Sequence, residues 1–281
     1  MYAIINNTLI PIEQATVPIN DLSVQRGYGV FDFFRTQNGV ALFVDEHLDR
    51  LERSAAAMHL KIPYSRNVLL EQVDQLINQN RFPCSGIRIT VTGGSSADTY
   101  TPGTPHVLIT EQPLIMQDPS ELHPGFRLIT YPHVRELPEV KSINYMMGIW
   151  LQPKVKAAGA DDVLFMKEGS ISELPRSNIF IVSKSGTLIT PSENILHGIT
   201  RSKILTLAKA ILPVEVKPVS LTEMKEAAEA FVTSTTKRLI PILSVDGNPI
   251  GSGKPGELTR LLYQRFVEME QKYFESRYHK V

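Results

Sequence analysis

Residues 112–124, reading QPLIMQDPSELHP, hold three prolines and little hydrophobic periodicity. Proline removes a backbone donor and disfavours helix at the residue before it, so neither a long helix nor a central strand runs through such a stretch. The 281-residue chain therefore reads as two lobes, each near the common domain size of about 100–150 residues. The boundaries expected are an N-terminal lobe over 1–113, a linker over 114–121 and a C-terminal lobe over 122–281.

Turn signals between β-rich runs dominate the first lobe. Asn-Asn in YAIINNTLIPIE and Gln-Asn-Gly in GVFDFFRTQNGVALFV sit at hairpin positions. A helix is expected from an Asp45 N-cap, with Leu48, Leu51, Ala55 and Met58 at helical spacing. A second helix fits RNVLLEQVDQLINQN, and strands fit GIRITVTGG and PHVLITEQPL. The second lobe opens with the strand GFRLITYP, followed by a helix through YMMGIWLQPKVKAAG that Pro153 kinks or ends early. Strands at DDVLFMKEG, NIFIVSKSGTLITP and AFVTSTT follow, with a Thr200-capped helix before the last, a hairpin at LSVDGNPI and a long C-terminal helix. Both lobes mix strands and helices without regular βαβ alternation, so the expected class is α+β.

Net charge is zero, with 29 basic and 29 acidic residues and no long block of either sign, so nothing steers the protein to nucleic acid or an anionic membrane. The single cysteine, Cys84, forms no internal disulfide, and the seven histidines show no metal-ligand spacing, so no metal is expected. No basic region leads into an apolar run at the start, and no stretch approaches the ~18 apolar residues of a membrane span. The expected location is the cytoplasm. GSGKPG at 251–256 imitates a phosphate loop, but proline follows its lysine, and TGGSSAD at 92–98 reads as a plain flexible loop.

Chemistry concentrates elsewhere. Lys141, in LPEVKSINYMM, precedes a run suited to an interior, so it either snorkels to the surface or is a functional amine. Glu173 stands before a buried-looking strand, and Gly198 leads a tight turn into the helix at Thr200, whose first amides suit a phosphate. TSTT at 233–236 adds hydroxyls, and Arg50 lies on a helix of the other lobe. Amine, carboxylate, amide cradle and arginine together match the needs of pyridoxal 5'-phosphate.

The segments GYGVFDFFR, HLDRLERSA, LPEVKSINY, AGADDVLFMKEGSISELPRSNIFIV, ILHGITRSK and FVTSTT, in this order, resemble the class IV (fold type IV) pyridoxal-phosphate aminotransferases over nearly the whole chain. That family includes D-amino acid aminotransferase, branched-chain aminotransferase and aminodeoxychorismate lyase. The resemblance implies a two-lobed fold type IV enzyme and a homodimer. It implies that Lys141 condenses with the cofactor aldehyde, that Glu173 pairs with the pyridine nitrogen and that Arg50 takes the phosphate. Neighbouring Arg53 reads as solvated. Ile199 and Thr200 would offer backbone amides to the phosphate and Thr235 its hydroxyl, with Thr236 on the substrate side. Tyr145 stands near the cofactor or in the core.

Two departures bear on the substrate. Several members carry Thr-Arg-Gly where this chain has Thr92-Gly93-Gly94, so an arginine for the substrate carboxylate is missing. Arg88, on a strand face with Thr90, or Arg26, in VQRGYGVF, could substitute; otherwise both pair with nearby acids. Bulky Phe33 stands where branched-chain enzymes have glycine, Phe31 would wall the pocket, and Arg35 is a further carboxylate partner or structural. The favoured reading is transamination between a D-amino acid, such as D-alanine or D-glutamate, and a 2-oxo acid. An L-branched-chain aminotransferase and aminodeoxychorismate lyase are the alternatives.

Overall fold

The computed structural model describes residues 1–278; the end of the expected C-terminal lobe, 279–281, lies outside the described residues. The chain forms two compact units, one of Met1–Met116, Val140–Asn144 and the residues from Tyr273, the other of Gln117–Glu139 and Tyr145–Lys272.

The first unit is built on β1 (Tyr2–Ile5), β2 (Thr8–Pro11), α1 (Leu22–Arg26), β3 (Gly29–Gln37), β4 (Val40–Ala41), α2 (Val44–Ala57), α3 (Arg66–Asn80), β5 (Cys84–Thr92) and β6 (Val107–Pro113). Its six strands form one antiparallel sheet in the order β2-β1-β6-β5-β3-β4. Asn6 and Asn7 turn the first hairpin, and Asn38 and Gly39 the β3–β4 hairpin, all at positive φ as their turn type requires. Leu48, Leu51 and Ala55 of α2, Val73, Leu76 and Ile77 of α3, and Ile87, Ile89 and Val91 of β5 share one core. Each large aliphatic side chain buried there stabilises the unit by about 1.5–3 kcal/mol before entropy is counted.

Helix α2 starts one residue earlier than its expected cap. Phe43 holds the N-cap position at φ 52° without a side-chain cap, and Asp45 falls in the first turn, where its charge still complements the helix dipole. Lys141 also departs from the lobe assigned to it. The Phe31 N–H donates to its carbonyl at 2.9 Å, the Ile143 N–H donates to the Gly29 carbonyl at 3.0 Å, and Ser142 bridges Val30, so main-chain bonding to β3 draws the segment into the first unit.

The second unit contains β7 (Phe126–Pro132), α4 (Met146–Trp150), α5 (Gln152–Ala157), β8 (Asp162–Lys167), β9 (Ser170–Ile171), β10 (Glu173–Leu174), β11 (Ser177–Val182), β12 (Leu188–Thr190), α6 (Ile199–Lys209), β13 (Val214–Val216), β14 (Val219–Ser220), α7 (Leu221–Glu226), β15 (Glu229–Ser234), β16 (Arg238–Val245), β17 (Asn248–Pro249) and most of α8 (Glu257–Tyr278). A mixed sheet runs β13-β12-β11-β15-β16-β7-β8-β9-β14, with β10 beside β11 and β17 beside β16. Pro153 splits the expected single helix into α4 and α5, since proline is tolerated only in a first turn. Thr200 is not the cap of α6. Gly198 is, with extended backbone and no side-chain cap, at a place where a Cβ would collide with the Asn178 side-chain oxygen, and Thr200 becomes the second helical residue.

Candidate active site

In the first unit, α2 buries two stripes. Leu48, Leu51 and Ala55 enter the apolar core, while His47, Arg50 and Ser54 follow at helical spacing as a buried polar stripe. That polar stripe meets Asp32, an inward residue of β3 with no exposed surface. Arg50 Nε donates to Asp32 Oδ2 and Arg50 Nη2 to Asp32 Oδ1, both at 2.8 Å, and His47 Nδ1 lies 2.7 Å from Asp32 Oδ1. Burial alone would raise the Asp32 carboxyl, but the Arg50 guanidinium and His47 outweigh it and hold the group well below the usual carboxylate range. Burial lowers the His47 imidazole from its ordinary value despite the Asp32 charge. An ionised Asp32 only accepts, so His47 carries its proton on Nδ1. The stripe ends at Ser54, whose Oγ accepts from the Lys141 N–H at 3.2 Å.

The opposite face of β3 carries Phe31 and Phe33. Strand register sets Arg88 of β5 directly across from Phe33 and Thr90 across from Phe31. The Arg88 guanidinium carbon stands 4.1 Å from the Phe31 ring centre, and the Lys141 Nζ stands 4.6 Å from the same centre. Two cations thus share one aromatic ring, whose quadrupole attracts both. Phe33 folds over Gly86, where a Cβ would collide with the ring, and its centre lies 6.0 Å from Arg88. Arg35 is fully buried with its guanidinium carbon 5.9 Å from the Phe274 ring, and Arg53 is exposed. Arg26 is exposed at the end of α1, where its Nη2 donates to Thr99 Oγ1 at 3.3 Å.

In the second unit, Glu173 is 4% exposed. Arg135 Nε donates to its Oε1 at 2.8 Å, and Arg135 Nη2 lies 2.7 Å from the same oxygen. Its Oε2 accepts from the Leu196 N–H at 2.8 Å and from Asn178 Nδ2 at 3.3 Å. Asn178 also donates to the Leu196 carbonyl at 2.7 Å, which ties the carboxylate to the loop entering α6. At the start of that helix the Ile199 and Thr200 amides have no intrahelical acceptor. Register places Asn178 opposite Thr233, and the hydroxyls of Ser177, Thr233 and Ser234 are shut from solvent without a partner among the described residues. Thr235, half-buried, and Thr236, exposed, occupy the turn after β15, and half-buried Tyr145 precedes α4.

The Amino-transferase class IV family pattern matches residues 29–245. The chain belongs to the class IV aminotransferases. It is 34% identical over 282 residues to a D-alanine aminotransferase of Listeria monocytogenes, covering 95% of this chain and 96% of that one. A D-alanine aminotransferase of Bacillus licheniformis is 33% identical over 266 residues, covering 92% and 94%. Among solved structures, the branched-chain amino acid aminotransferase of Escherichia coli superposes with a TM-score of 0.88 at 25% identity, covering 96% of this chain and 94% of that one.

As a class IV aminotransferase the protein is a transaminase dependent on pyridoxal phosphate. Its residues suit that group. Partnerless buried hydroxyls beside a helix start match a phosphate's acceptor oxygens, and a buried carboxylate paired with Arg135 suits a ring nitrogen as a partner. Sequence reasoning passed over Asp32, His47, Ser54, Arg135 and Asn178. The three-residue spacing of His47 and Arg50 on a helix was the available signal for His47; Arg135 carried none, since its partner lies 38 residues away.

Proposed function

We propose that this class IV aminotransferase transfers the amino group of a D-amino acid, of the D-alanine or D-glutamate kind, to a 2-oxo acid. The observation carrying this reading is the shared Phe31 ring, with Arg88 at 4.1 Å and Lys141 at 4.6 Å. A carboxylate held by Arg88 keeps the adjoining α-carbon within reach of the Lys141 amine, as positioning for proton transfer demands. The D configuration is supported by the D-alanine aminotransferases of similar sequence and length.

When bound, pyridoxal phosphate supplies an aldehyde for the amine and a ring that accepts the electron pair left at the α-carbon. In this reading Lys141 holds the cofactor and later moves the α-carbon proton on its Nζ. Glu173, paired with Arg135, would serve as the partner of the ring nitrogen. The Ile199 and Thr200 amides, the Thr235 hydroxyl and Arg50 hold the phosphate; Arg50 Nη1 makes no hydrogen bond among the described residues. Tyr145 stands beside the cofactor. Arg88 and Arg26 take the substrate carboxylate, Phe31 and Phe33 wall its side chain, and Thr236 lines the substrate side.

A homodimer is part of the proposal, supported by α4, where Met146, Ile149 and Trp150 are 69%, 70% and 64% exposed. Retention of full activity in a protein that sediments as a monomer would contradict it. No helix among the described residues is long and apolar enough to cross a membrane, and a chain with one cysteine suits the reducing cytoplasm.

The test is a half-reaction. Protein loaded with pyridoxal phosphate is mixed separately with D-alanine, D-glutamate, L-leucine and L-glutamate while the cofactor's visible absorbance is followed. Bleaching by the D-acids is expected. Bleaching by the L-acids alone transfers the reading to branched-chain chemistry, and no response to any of them points to the lyase.

A further inference from the structure

Thr99 is β-branched, yet its backbone stands at φ +63°, a region that such residues rarely adopt. Strain of this kind costs of order 1–3 kcal/mol and persists only where the surroundings impose it. Here the imposing group is the neighbouring Asp98 carboxylate. Its Oδ1 accepts from the Ser96 hydroxyl at 2.9 Å and from the Tyr100 and Thr101 N–H groups at 2.9 and 2.7 Å, and its Oδ2 accepts from the Thr101 hydroxyl at 2.6 Å. Donors from both sides of Thr99 thus converge on one side chain. The outcome is that the Thr99 hydroxyl receives Arg26 Nη2 at 3.3 Å.

Arg26 is mounted from its other side as well. Asp21, fully buried, caps α1 by accepting from the Ser23 N–H at 2.7 Å, and its second oxygen accepts from the Thr92 hydroxyl at 2.6 Å. The Leu22 N–H donates to the Gly94 carbonyl at 3.0 Å, and the Gly103 N–H closes the loop on the Gly93 carbonyl at 2.9 Å. The helix that ends in Arg26 and the loop that presents Thr99 therefore rise from the same end of β5. An exposed arginine would otherwise sample many rotamers, at an entropy cost on binding of up to about 2 kcal/mol.

We propose that Asp98 is a positioning residue: it fixes Thr99 in the left-handed conformation so that the Thr99 hydroxyl orients the Arg26 guanidinium for the substrate carboxylate. This rests on the assignment of Arg26 to that carboxylate. Asp98 itself touches no substrate. It acts through the cage, not through its charge, because an isosteric amide can accept the same three bonds on its oxygen and meet the Thr101 hydroxyl with its nitrogen.

The experiment measures KM and kcat for the amino donor in R26A, D98A, D98N, T99A, T99S and the R26A/D98A double variant, with thermal unfolding of each. D98A and T99A are expected to raise KM about five- to tenfold with kcat held within about twofold, within the range of one typical net hydrogen bond. D98N and T99S are expected to stay within about twofold of the parent, and the double variant to match R26A alone, as two residues on one path must. T99A leaves the cage in place and keeps the test decisive if D98A unfolds. An unchanged KM in R26A overturns the Arg26 assignment and this inference with it. A raised KM in R26A beside an unchanged one in T99A overturns this inference alone, as do D98N behaving like D98A or a D98A effect that persists in full without Arg26.

Discussion

Arg50 grips both oxygens of the Asp32 carboxylate, Nε to Oδ2 and Nη2 to Oδ1, each at 2.8 Å and both residues buried. A bidentate pair out of water orients the guanidinium far more tightly than a surface contact does. Removing one partner strands a buried charge. Asp32→Asn is therefore expected to destabilise the protein by about 3–5 kcal/mol and to weaken pyridoxal phosphate binding. Denaturant unfolding and cofactor titration check both; an unchanged cofactor affinity would separate Arg50 from the phosphate.

The same pair sets an acid limit on stability. His47 is lowered in the folded protein, so between its folded value and the ordinary one, about 6.5, the unfolded chain binds the extra proton and stability falls as pH drops. Asp32 is also lowered, so its contribution is present above the ordinary carboxylate value, about 4, and is lost as pH falls towards the folded one. Unfolding free energy should decline in two stages below neutrality. His47→Gln should flatten the first stage and leave the second, which unfolding curves at about pH 7, 5.5, 4 and 2.5 would reveal.

Lys141→Ala should abolish transamination, with a fall of at least about a thousandfold, within the scale of losing a covalent and proton-transferring group. Folding should survive, because the segment is held by main-chain bonds to β3. Loss of the visible cofactor band in a folded variant is the expected signature. Retained turnover would defeat the assignment of Lys141.

The Phe31 ring is expected to order Arg88. Phe31→Leu keeps apolar volume and removes the quadrupole, so KM for the amino acid should rise about three- to thirtyfold, the span of a cation–π contact worth about 0.5–2 kcal/mol. Arg88→Ala should raise it further. Steady-state kinetics with a D-amino acid would show the order, and an unchanged KM in both would remove Arg88 from the substrate site.

Gly198→Ala places a methyl against the Asn178 side chain, which must move away from Glu173 and Leu196. Overpacking of this kind costs about 1–3 kcal/mol. Cofactor affinity should fall by more than thermal stability does, measured by equilibrium dialysis of pyridoxal phosphate.

Local patterns alone announced most of the elements. Helix α3 spans the residues of RNVLLEQVDQLINQN, and the hairpins stand at Asn6-Asn7, Asn38-Gly39 and Asp246-Gly247 because those turns need positive φ. These are properties of a few neighbouring residues, so sequence carries them. The cofactor class was also legible, since Lys141, Glu173 and the glycine before α6 recur in a recognisable order. What tertiary structure decided is which distant groups meet. Asp32 with His47 and Arg50, Glu173 with Arg135, and Arg88 with Lys141 across Phe31 depend on strand register and helix docking over long separations. The capture of the Lys141 segment by β3 is of the same kind, because a backbone hydrogen bond has no side-chain signature and a chain cannot advertise in its letters which edge its main chain will join.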